Sequence, residues 1–240
     1  MILELMTDLF ANHWLYLLIS CLAAYLISSI STSIIVTSLV MHKDIRKQGS
    51  GNAGFTNVLR TVGKGPAIIT FVGDFLKGVI SVLIPYFLTF GWDSIELQQE
   101  RQILMYLAGL FAVLGHMFPV YYRFKGGKGV VTTASVMLMT DWRVLVIALI
   151  IFGIFFAVTK TISKCSLLCA GTYPFVSAGV RLLDATASFP TLAPVSHTSP
   201  FLIGCVFGIT FVLGLTIIIK HKDNIKRILN GTEKKIISKK

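Results

Sequence analysis

The sequence predicts an all-α, polytopic integral membrane protein with seven transmembrane helices, of which the fourth is short. Charged residues make up only 14% of the 240 residues, whereas about a quarter are charged in a typical soluble domain. The apolar residues also fall in long runs, and a bilayer-spanning helix needs roughly 20 of them. Basic residues occupy every second connection between these runs, which is the pattern that seven crossings produce.

Seven apolar segments follow one another along the chain. They cover residues 14–41, 66–90, 103–122, 130–140, 144–158, 165–183 and 201–219. The fourth segment would extend roughly 16 Å, about half of the hydrocarbon thickness. It therefore either crosses the bilayer with help from its neighbours or lies partly inside the protein. Residues 184–200 are rich in Ser, Thr, Ala and Pro and predict an irregular external loop.

The basic residues indicate which side of the membrane each connection faces. They lie between the first and second, the third and fourth, and the fifth and sixth segments, and after the seventh. The positive-inside rule places these parts in the cytoplasm, with the N-terminus outside and the C-terminus inside. On a soluble protein the net charge of +11 would indicate nucleic acid. Here topology and an anionic substrate account for it, and no nucleic-acid partner is expected.

The first basic connection, residues 44–65, combines glycines with small polar side chains. Glycine lets backbone N–H groups approach an anion closely, and successive N–H groups form concave anion sites. Hydroxyl and amide groups add neutral donors, and arginine adds a planar fork that matches phosphate oxygens. The candidates in this loop are Ser50, Gly51, Asn52, Thr56, Asn57 and Arg60. The alternative is a basic loop that only sets topology and uses its glycines in turns.

The second basic connection, residues 115–133, places a lysine among three glycines directly before the short fourth segment. If Thr132 and Thr133 open the following helix, its N-terminal N–H groups and the positive end of its dipole face the same site. A Walker A loop needs Ser or Thr after the lysine, so the pattern favours a phosphate-bearing ligand over a nucleotide. The candidates here are Gly126, Gly127, Lys128 and Gly129.

Two further elements add polar groups on the same predicted side. Ser163 and Ser166 lie in the third basic connection, for which a plain helix junction is the alternative. Residues 221–233 predict an amphipathic helix at the membrane interface that starts near His221, includes Asn224 and ends at an Asn-Gly pair. The alternative for this element is a polybasic tail attracted to anionic lipid.

The second apolar segment contains two charges, Asp74 and Lys77, three residues apart. Charges inside a membrane usually pair, so this spacing predicts a structural ion pair, with a role in organising the site as the alternative. The four cysteines lie in apolar surroundings, and neither a disulfide framework nor a metal or cofactor site is predicted.

Two long motifs of this chain resemble those of the bacterial acyl-phosphate:glycerol-3-phosphate acyltransferase family, of the PlsY type. They read GSGNAGFTNVLR and GHMFPVYYRFKGGKGVVTT, and the later HKDNIKRILNGTE is similar as well. The resemblance implies one membrane-embedded domain over residues 1–240, with several passes through the bacterial cytoplasmic (inner) membrane. Phe55 stands where the family usually has Ala, and Lys164 and Cys165 interrupt the residues expected between the motif serines.

The family transfers an acyl group from acyl phosphate to the 1-hydroxyl of glycerol 3-phosphate, which gives lysophosphatidic acid and orthophosphate. The resemblance therefore implies these two substrates, a lipid environment, the enzyme that makes acyl phosphate as a functional partner, and no cofactor. It assigns glycerol 3-phosphate binding to Ser50, Arg60, Lys128, His221 and Asn224. It assigns acyl phosphate binding to Gly51, Asn52, Thr56, Asn57, Gly126, Gly127 and Gly129, and the third motif to Ser163 and Ser166.

The histidines of this chain do not supply the catalytic dyad of other glycerolipid acyltransferases. None of the five is followed by Asp at the H-x4-D spacing. We therefore expect substrate-assisted catalysis in a cationic cytoplasmic-side pocket, in which the phosphate of the donor accepts the hydroxyl proton and no side chain acts as base. The alternatives are a transporter or channel for an anionic phosphorylated solute and a structural membrane scaffold.

Overall fold

The computed structural model describes residues 12–184 and 198–235, and these residues form helices and turns without a β-strand. Most of the predicted external loop 184–200 lies outside the described residues. The chain divides into two compact units, Met1–Thr140 and Asp141–Lys240. The helices are α1 (Trp14–Ser28), α2 (Thr32–Met41), α3 (Phe55–Thr61), α4 (Lys64–Leu88), α5 (Ile95–Met117), α6 (Val130–Thr140), α7 (Trp142–Thr159), α8 (Ile162–Asp184), α9 (Pro200–Lys220) and α10 (Lys222–Leu229).

Six spans of the described chain are long and apolar enough to cross a membrane. Together with the shorter apolar helix α6 they match the seven predicted segments, and the predicted all-helical membrane class is confirmed. The predicted orientation, with the N-terminus outside, stays a prediction. The six spans are Trp14–Met41, Lys64–Leu88, Ile95–Tyr122, Trp142–Thr159, Ile162–Asp184 and Pro200–Lys220.

The first span consists of two helices, α1 and α2, rather than one. Between them the chain passes through Ser29, Ile30 and Ser31, and Ser31 has an extended backbone. Serine hydroxyls compete with the backbone for hydrogen bonds, and the Ser29 hydroxyl donates to the Tyr25 carbonyl (2.8 Å). The carbonyl of Ile30 accepts a hydrogen bond from the ammonium of Lys77 (3.1 Å). A side chain of α4 therefore satisfies a carbonyl at the interruption.

The helix α5 begins at Ile95, before the predicted start near residue 103. Its N-cap is Ser94, whose hydroxyl oxygen accepts a hydrogen bond from the Leu97 N–H (3.3 Å). A cap of this kind satisfies one of the N–H groups that lack a partner in the first turn. The helix therefore begins in a stretch that contains polar residues, and the apolar run from residue 103 shows only its later part.

The short helix α6 covers Val130–Thr140, the bounds of the predicted fourth segment, and Thr132 and Thr133 lie in its first turn. Gly129 has a φ of +78°, a conformation that glycine adopts without strain. Its carbonyl accepts from the Thr133 N–H (2.8 Å) and closes the first turn. Both threonine side chains are consequently buried, and the Thr132 hydroxyl donates to the Asp74 carbonyl of α4 (3.2 Å).

Small residues bring α6 close to its neighbours within the first unit. A Cβ atom added to Gly78 of α4 would overlap the Ser135 hydroxyl, and one added to Gly109 of α5 would overlap Val136. Close backbone approach at small residues is typical of helix contacts in membranes. The short segment is therefore packed against α4 and α5. The two predicted possibilities, crossing the bilayer with help from its neighbours or lying partly inside the protein, stay predictions.

Two arginines and two aspartates form a buried network in the second unit. Arg143 contacts Asp184 through both of its terminal nitrogens (2.7 Å each) and Asp141 through one of them (2.6 Å). Arg181 lies 3.5 Å from Asp184 and 3.8 Å from Asp141. The four charges balance one another, which reduces the cost of removing them from water. This network joins the start of α7 to the end of α8.

Candidate active site

The side chain of Asn57 holds the first glycine-rich loop in shape. Its carboxamide nitrogen donates to the carbonyls of Gln48 (3.0 Å), Asn52 (3.0 Å) and Ile45 (3.3 Å). Its oxygen accepts the N–H of Ser50 (2.9 Å). Asn57 is buried in the first turns of α3, and it therefore fixes four backbone groups of the loop that precedes that helix.

The first and second glycine-rich loops contact each other through Arg46. One terminal nitrogen of its guanidinium donates to the Tyr122 carbonyl (2.8 Å) and the Lys125 carbonyl (3.4 Å). The same side chain binds Asp44 at 2.7 to 3.0 Å. The hydrogen bond from Arg46 holds the pKa of the Asp44 carboxyl below its ordinary value. The two loops are 76 residues apart in sequence at this contact. They therefore lie together at one end of the first unit.

The glycines of the second loop allow close packing rather than free movement. The N–H groups of Gly126 and Gly127 donate to the carbonyls of Met117 (3.2 Å) and His116 (3.1 Å). A Cβ atom on Gly127 would overlap the His116 ring and lie 2.5 Å from the carbonyl oxygen of Ala53 in the first loop. Gly127 is therefore enclosed between α5 and the first loop, and only glycine fits there.

Three ionisable side chains lie together beneath the second loop. Lys77 and Asp74 form the predicted ion pair, with Lys77 Nζ 2.9 Å from Asp74 Oδ1. Nδ1 of His116 lies 3.5 Å from the same carboxylate oxygen. All three side chains are buried. The pair is confirmed, and His116 is an additional member that the i, i+3 spacing does not reveal.

The second unit contains a hydrogen-bonded group centred on Glu233. Its Oε1 accepts from the Ser163 hydroxyl (2.5 Å) and the Asn224 amide (2.7 Å), and its Oε2 accepts from Arg227 Nε (2.7 Å). Asn224 also donates to the Ser163 hydroxyl (2.8 Å). Burial disfavours the charged carboxylate, but the hydrogen bonds from Ser163, Arg227 and Asn224 outweigh it and keep the pKa of Glu233 below its ordinary value.

The short helix α10 confirms the predicted helix after the last span. It runs over Lys222–Leu229, with Asn230 at its C-cap and Gly231 at a φ of +69°. His221 lies between α9 and α10 and is buried, and its Nδ1 donates to the Ile217 carbonyl (2.8 Å). This bond places the ring proton on Nδ1.

The predicted site residues differ in their exposure. Asn57, Gly127, Gly129, Ser166, His221 and Asn224 are buried; Asn52, Thr56, Gly126, Lys128 and Ser163 are half-buried; Ser50, Gly51 and Arg60 are exposed. Within the first unit the two loops lie side by side, and within the second unit Ser163 and Asn224 are bonded directly. The ligand contacts assigned to these residues stay predictions.

Three residues that organise these groups were not among the predicted ones. Arg46 lies in the first basic connection, His116 lies inside the second quoted motif, and Glu233 ends the third, so their positions offered a signal. Each of them acts through a backbone carbonyl or a partner distant in sequence. Such partners cannot be identified from spacing along one helix.

The fold and these polar groups define a multi-span membrane protein with hydrogen-bond donors and cations gathered at helix ends, and comparison with known proteins assigns it further. Residues 18–231 match the model of the glycerol-3-phosphate acyltransferase family. A glycerol-3-phosphate acyltransferase of Clostridioides difficile (strain 630) is 39% identical over 225 residues, which cover 93% of this chain and 97% of that protein. One from Caulobacter vibrioides (strain NA1000 / CB15N) is 38% identical, with 98% and 94% covered.

Two solved structures are similar to this chain. A crystal structure of PlsY (YgiH), an integral membrane glycerol 3-phosphate acyltransferase, in its glycerol 3-phosphate form has a TM-score of 0.71 and 32% identity, and 92% of this chain and 96% of that chain are covered. The lysophosphatidic acid form of PlsY has a TM-score of 0.68 and 31% identity, with 91% and 94% covered. The chain therefore belongs to the glycerol-3-phosphate acyltransferase family, and the predicted family is confirmed.

Replacing Asn57 with Asp should unfold the first loop locally. The carboxylate would face three carbonyl oxygens in place of the amide donor, and each buried group left without a partner costs about 1–3 kcal/mol. We expect Asn57→Asp to lower the thermal unfolding temperature in detergent and to raise KM. Asn230→Asp, the same change at an exposed helix end, is the control and should leave both unchanged. Equal behaviour of the two variants would contradict the role given to Asn57.

Replacing Glu233 with Gln should remove a pH-dependent part of the stability. Because the pKa of Glu233 is lowered on folding, its contribution is present above the unfolded value of about 4.3 and is lost as pH falls through the folded value. The difference in unfolding temperature between wild type and Glu233→Gln should be full at pH 6 and shrink below about pH 5. A constant difference across this range would contradict the assignment. The exposed Glu96→Gln is the control.

Proposed function

We propose that this chain transfers an acyl group from acyl phosphate to the 1-hydroxyl of glycerol 3-phosphate, on the cytoplasmic side of the bacterial inner membrane. The observation that carries the proposal is the contact between the two glycine-rich loops of the first unit. It brings the loop of Ser50 and Arg60 beside the loop of Lys128. A donor that carries both a phosphate and an alkyl chain suits basic loops at the end of apolar spans.

The substrate contacts follow the motif assignments. Ser50, Arg60 and Lys128 bind phosphate oxygens, and His221 and Asn224 bind glycerol 3-phosphate. The buried glycines Gly127 and Gly129 shape the second loop, and the other motif residues of both loops lie around the acyl phosphate. Ser163 contributes through its hydroxyl, which Asn224 and Glu233 already hold in place. Ser166 is a secondary candidate of the same motif. The family match covers residues of both units, and it supports the proposal of one acyltransferase domain over residues 1–240.

The reaction needs no side-chain base. The 1-hydroxyl oxygen attacks the acyl carbonyl carbon, a new ester C–O bond forms, and the bond between that carbon and the phosphate oxygen breaks. The hydroxyl proton passes to the departing phosphate, which leaves as orthophosphate. Acyl phosphate is already activated, so the protein contributes orientation and stabilisation of negative charge. Cationic and N–H groups fixed before the substrate arrives provide this stabilisation without rearrangement.

The alternative of a transporter is less well supported by the described residues. A transporter usually binds its solute near the midplane of the membrane, where helices are interrupted. In the first unit, the Ile30 carbonyl at the interruption of the first span already accepts a hydrogen bond from Lys77, and Lys77 is paired with Asp74. These groups satisfy one another, whereas the polar groups assigned to ligands lie in the loops, in the short helices α3 and α10 and at the start of α8.

The donor is tested with the purified protein in detergent. Given palmitoyl phosphate and glycerol 3-phosphate, it should release orthophosphate and form lysophosphatidic acid in equal amounts.

Arg60→Lys should raise KM for glycerol 3-phosphate because a lysine ammonium cannot replace the planar fork of arginine. Arg123→Lys, a matched change at an exposed arginine of the second loop, should not. No phosphate release, or equal rates with palmitoyl coenzyme A, would contradict the proposed donor.

The role of His221 is tested by substitution and by the pH–rate profile. If His221 binds glycerol 3-phosphate and does not act as a base, His221→Gln should raise KM for glycerol 3-phosphate and leave the pH–rate profile of kcat unchanged. Loss of one ionisation in kcat, with KM intact, would contradict the binding role.

A further inference from the structure

His116 occupies a position between the membrane-embedded charges and the second glycine-rich loop. It lies in the last turn of α5, where its side chain is 6% exposed. On one side its Nδ1 faces Asp74 Oδ1. On the other side its Nε2 and Cε1 fill the space that a side chain on Gly127 would need. The ring is therefore in contact with a buried carboxylate and with the backbone beside Lys128.

The groups behind His116 are themselves fixed. The carboxylate of Asp74 is buried and paired with Lys77, and the Lys77 ammonium also binds the Ile30 carbonyl at the interruption of the first span. The Thr132 hydroxyl binds the Asp74 carbonyl. The first span, α4 and α6 are thus bonded to one another around Asp74 and Lys77, and this packing opposes a displacement of His116 toward Asp74.

The loop in front of His116 has little freedom as well. The Gly127 N–H donates to the His116 carbonyl, and a Cβ atom on Gly127 would also meet the Ala53 carbonyl oxygen of the first loop. Lys128 follows directly. The ring of His116 therefore sets how far the Lys128 backbone lies from α5 and from the first loop.

We infer that His116 is a positioning residue for the reaction, which acts on the substrate through the backbone of Gly127 and the ammonium of Lys128. The Lys77–Asp74 pair holds the ring, and the ring holds the loop. This inference rests on the proposed phosphate-binding role of Lys128. It assigns no proton transfer to His116.

Three substitutions separate the two contacts of the ring. In His116→Gln the amide nitrogen takes the position of Nε2 and keeps the reach toward Gly127. In His116→Asn the amide nitrogen takes the position of Nδ1 and keeps only the contact with Asp74. His116→Ala removes both. Misplacement of a binding group by about 1 Å can cost about 100-fold in rate, so we expect His116→Ala and His116→Asn to lower kcat/KM for glycerol 3-phosphate about 100-fold, mainly through KM. His116→Gln should stay within about 10-fold of wild type.

A destabilised variant of the same helix is the control. Leu104 is fully buried in α5, and Leu104→Ala leaves a cavity that destabilises the fold. It should lower the unfolding temperature at least as much as the His116 variants and leave KM unchanged. If all four variants lose activity only in proportion to their folded fraction, or if His116→Asn retains wild-type KM, the inference is wrong. Should His116→Ala not fold, the comparison of Gln with Asn decides.

The test of His116 does not depend on which acyl donor the enzyme uses. Kinetic constants for glycerol 3-phosphate are measured with palmitoyl phosphate and, in parallel, with palmitoyl coenzyme A. If only the coenzyme A ester supports turnover, the proposed donor is wrong, and the same variant series still tests His116 with that donor. If palmitoyl phosphate supports turnover and the His116 series shows no change in KM, the proposed donor stands and the positioning role is wrong.

Discussion

The ion pair of Lys77 and Asp74 is the interaction on which the first unit depends. A lone charge in an apolar interior is costly, and a carbonyl released at a helix interruption is costly as well. The Lys77 ammonium compensates both, because it lies 2.9 Å from the Asp74 carboxylate and donates to the Ile30 carbonyl. The helix of the first span can therefore be interrupted at its serines without leaving this carbonyl unsatisfied. The same carboxylate also faces His116. The pairing of charges inside the unit therefore also determines where the His116 ring supports the second loop.

Both groups of polar residues follow the same rule, in which one buried side chain fixes the polar groups around it. Asn57 does this for the backbone of the first loop, with four hydrogen bonds. Glu233 does it for the side chains of Ser163, Asn224 and Arg227 in the second unit. Donors that are already held in place cost little to reorganise when negative charge develops on a substrate. The first and third motifs thus each contain a side chain that holds the neighbouring polar groups in place.

The sequence predicts the spans and the loops well because their signals are local. Apolar runs, the lysines and arginines between them, and glycines in the motifs can be read residue by residue. The interruption at Ser29–Ser31 and the start of α5 at Ile95 depend on single hydrogen bonds to side chains, so apolar character alone misses them. The pair of Asp74 and Lys77 was predictable from its spacing, whereas His116 reaches it from a helix 42 residues away. Long-range contacts of this kind arise from packing and leave no periodic signal.

The glycines of the second loop show why composition alone gives an incomplete account of an anion site. A glycine-rich basic loop suggests free N–H groups that point at a phosphate. The N–H groups of Gly126 and Gly127 are instead bonded to carbonyls at the end of α5, and the missing side chain of Gly127 makes room for the His116 ring and the Ala53 carbonyl. Glycine is needed at this position for the closeness of three backbone segments. An alanine at position 127 would separate the two loops. The loop of Ser50 and the loop of Lys128 would then no longer lie side by side, even though every charged residue remained.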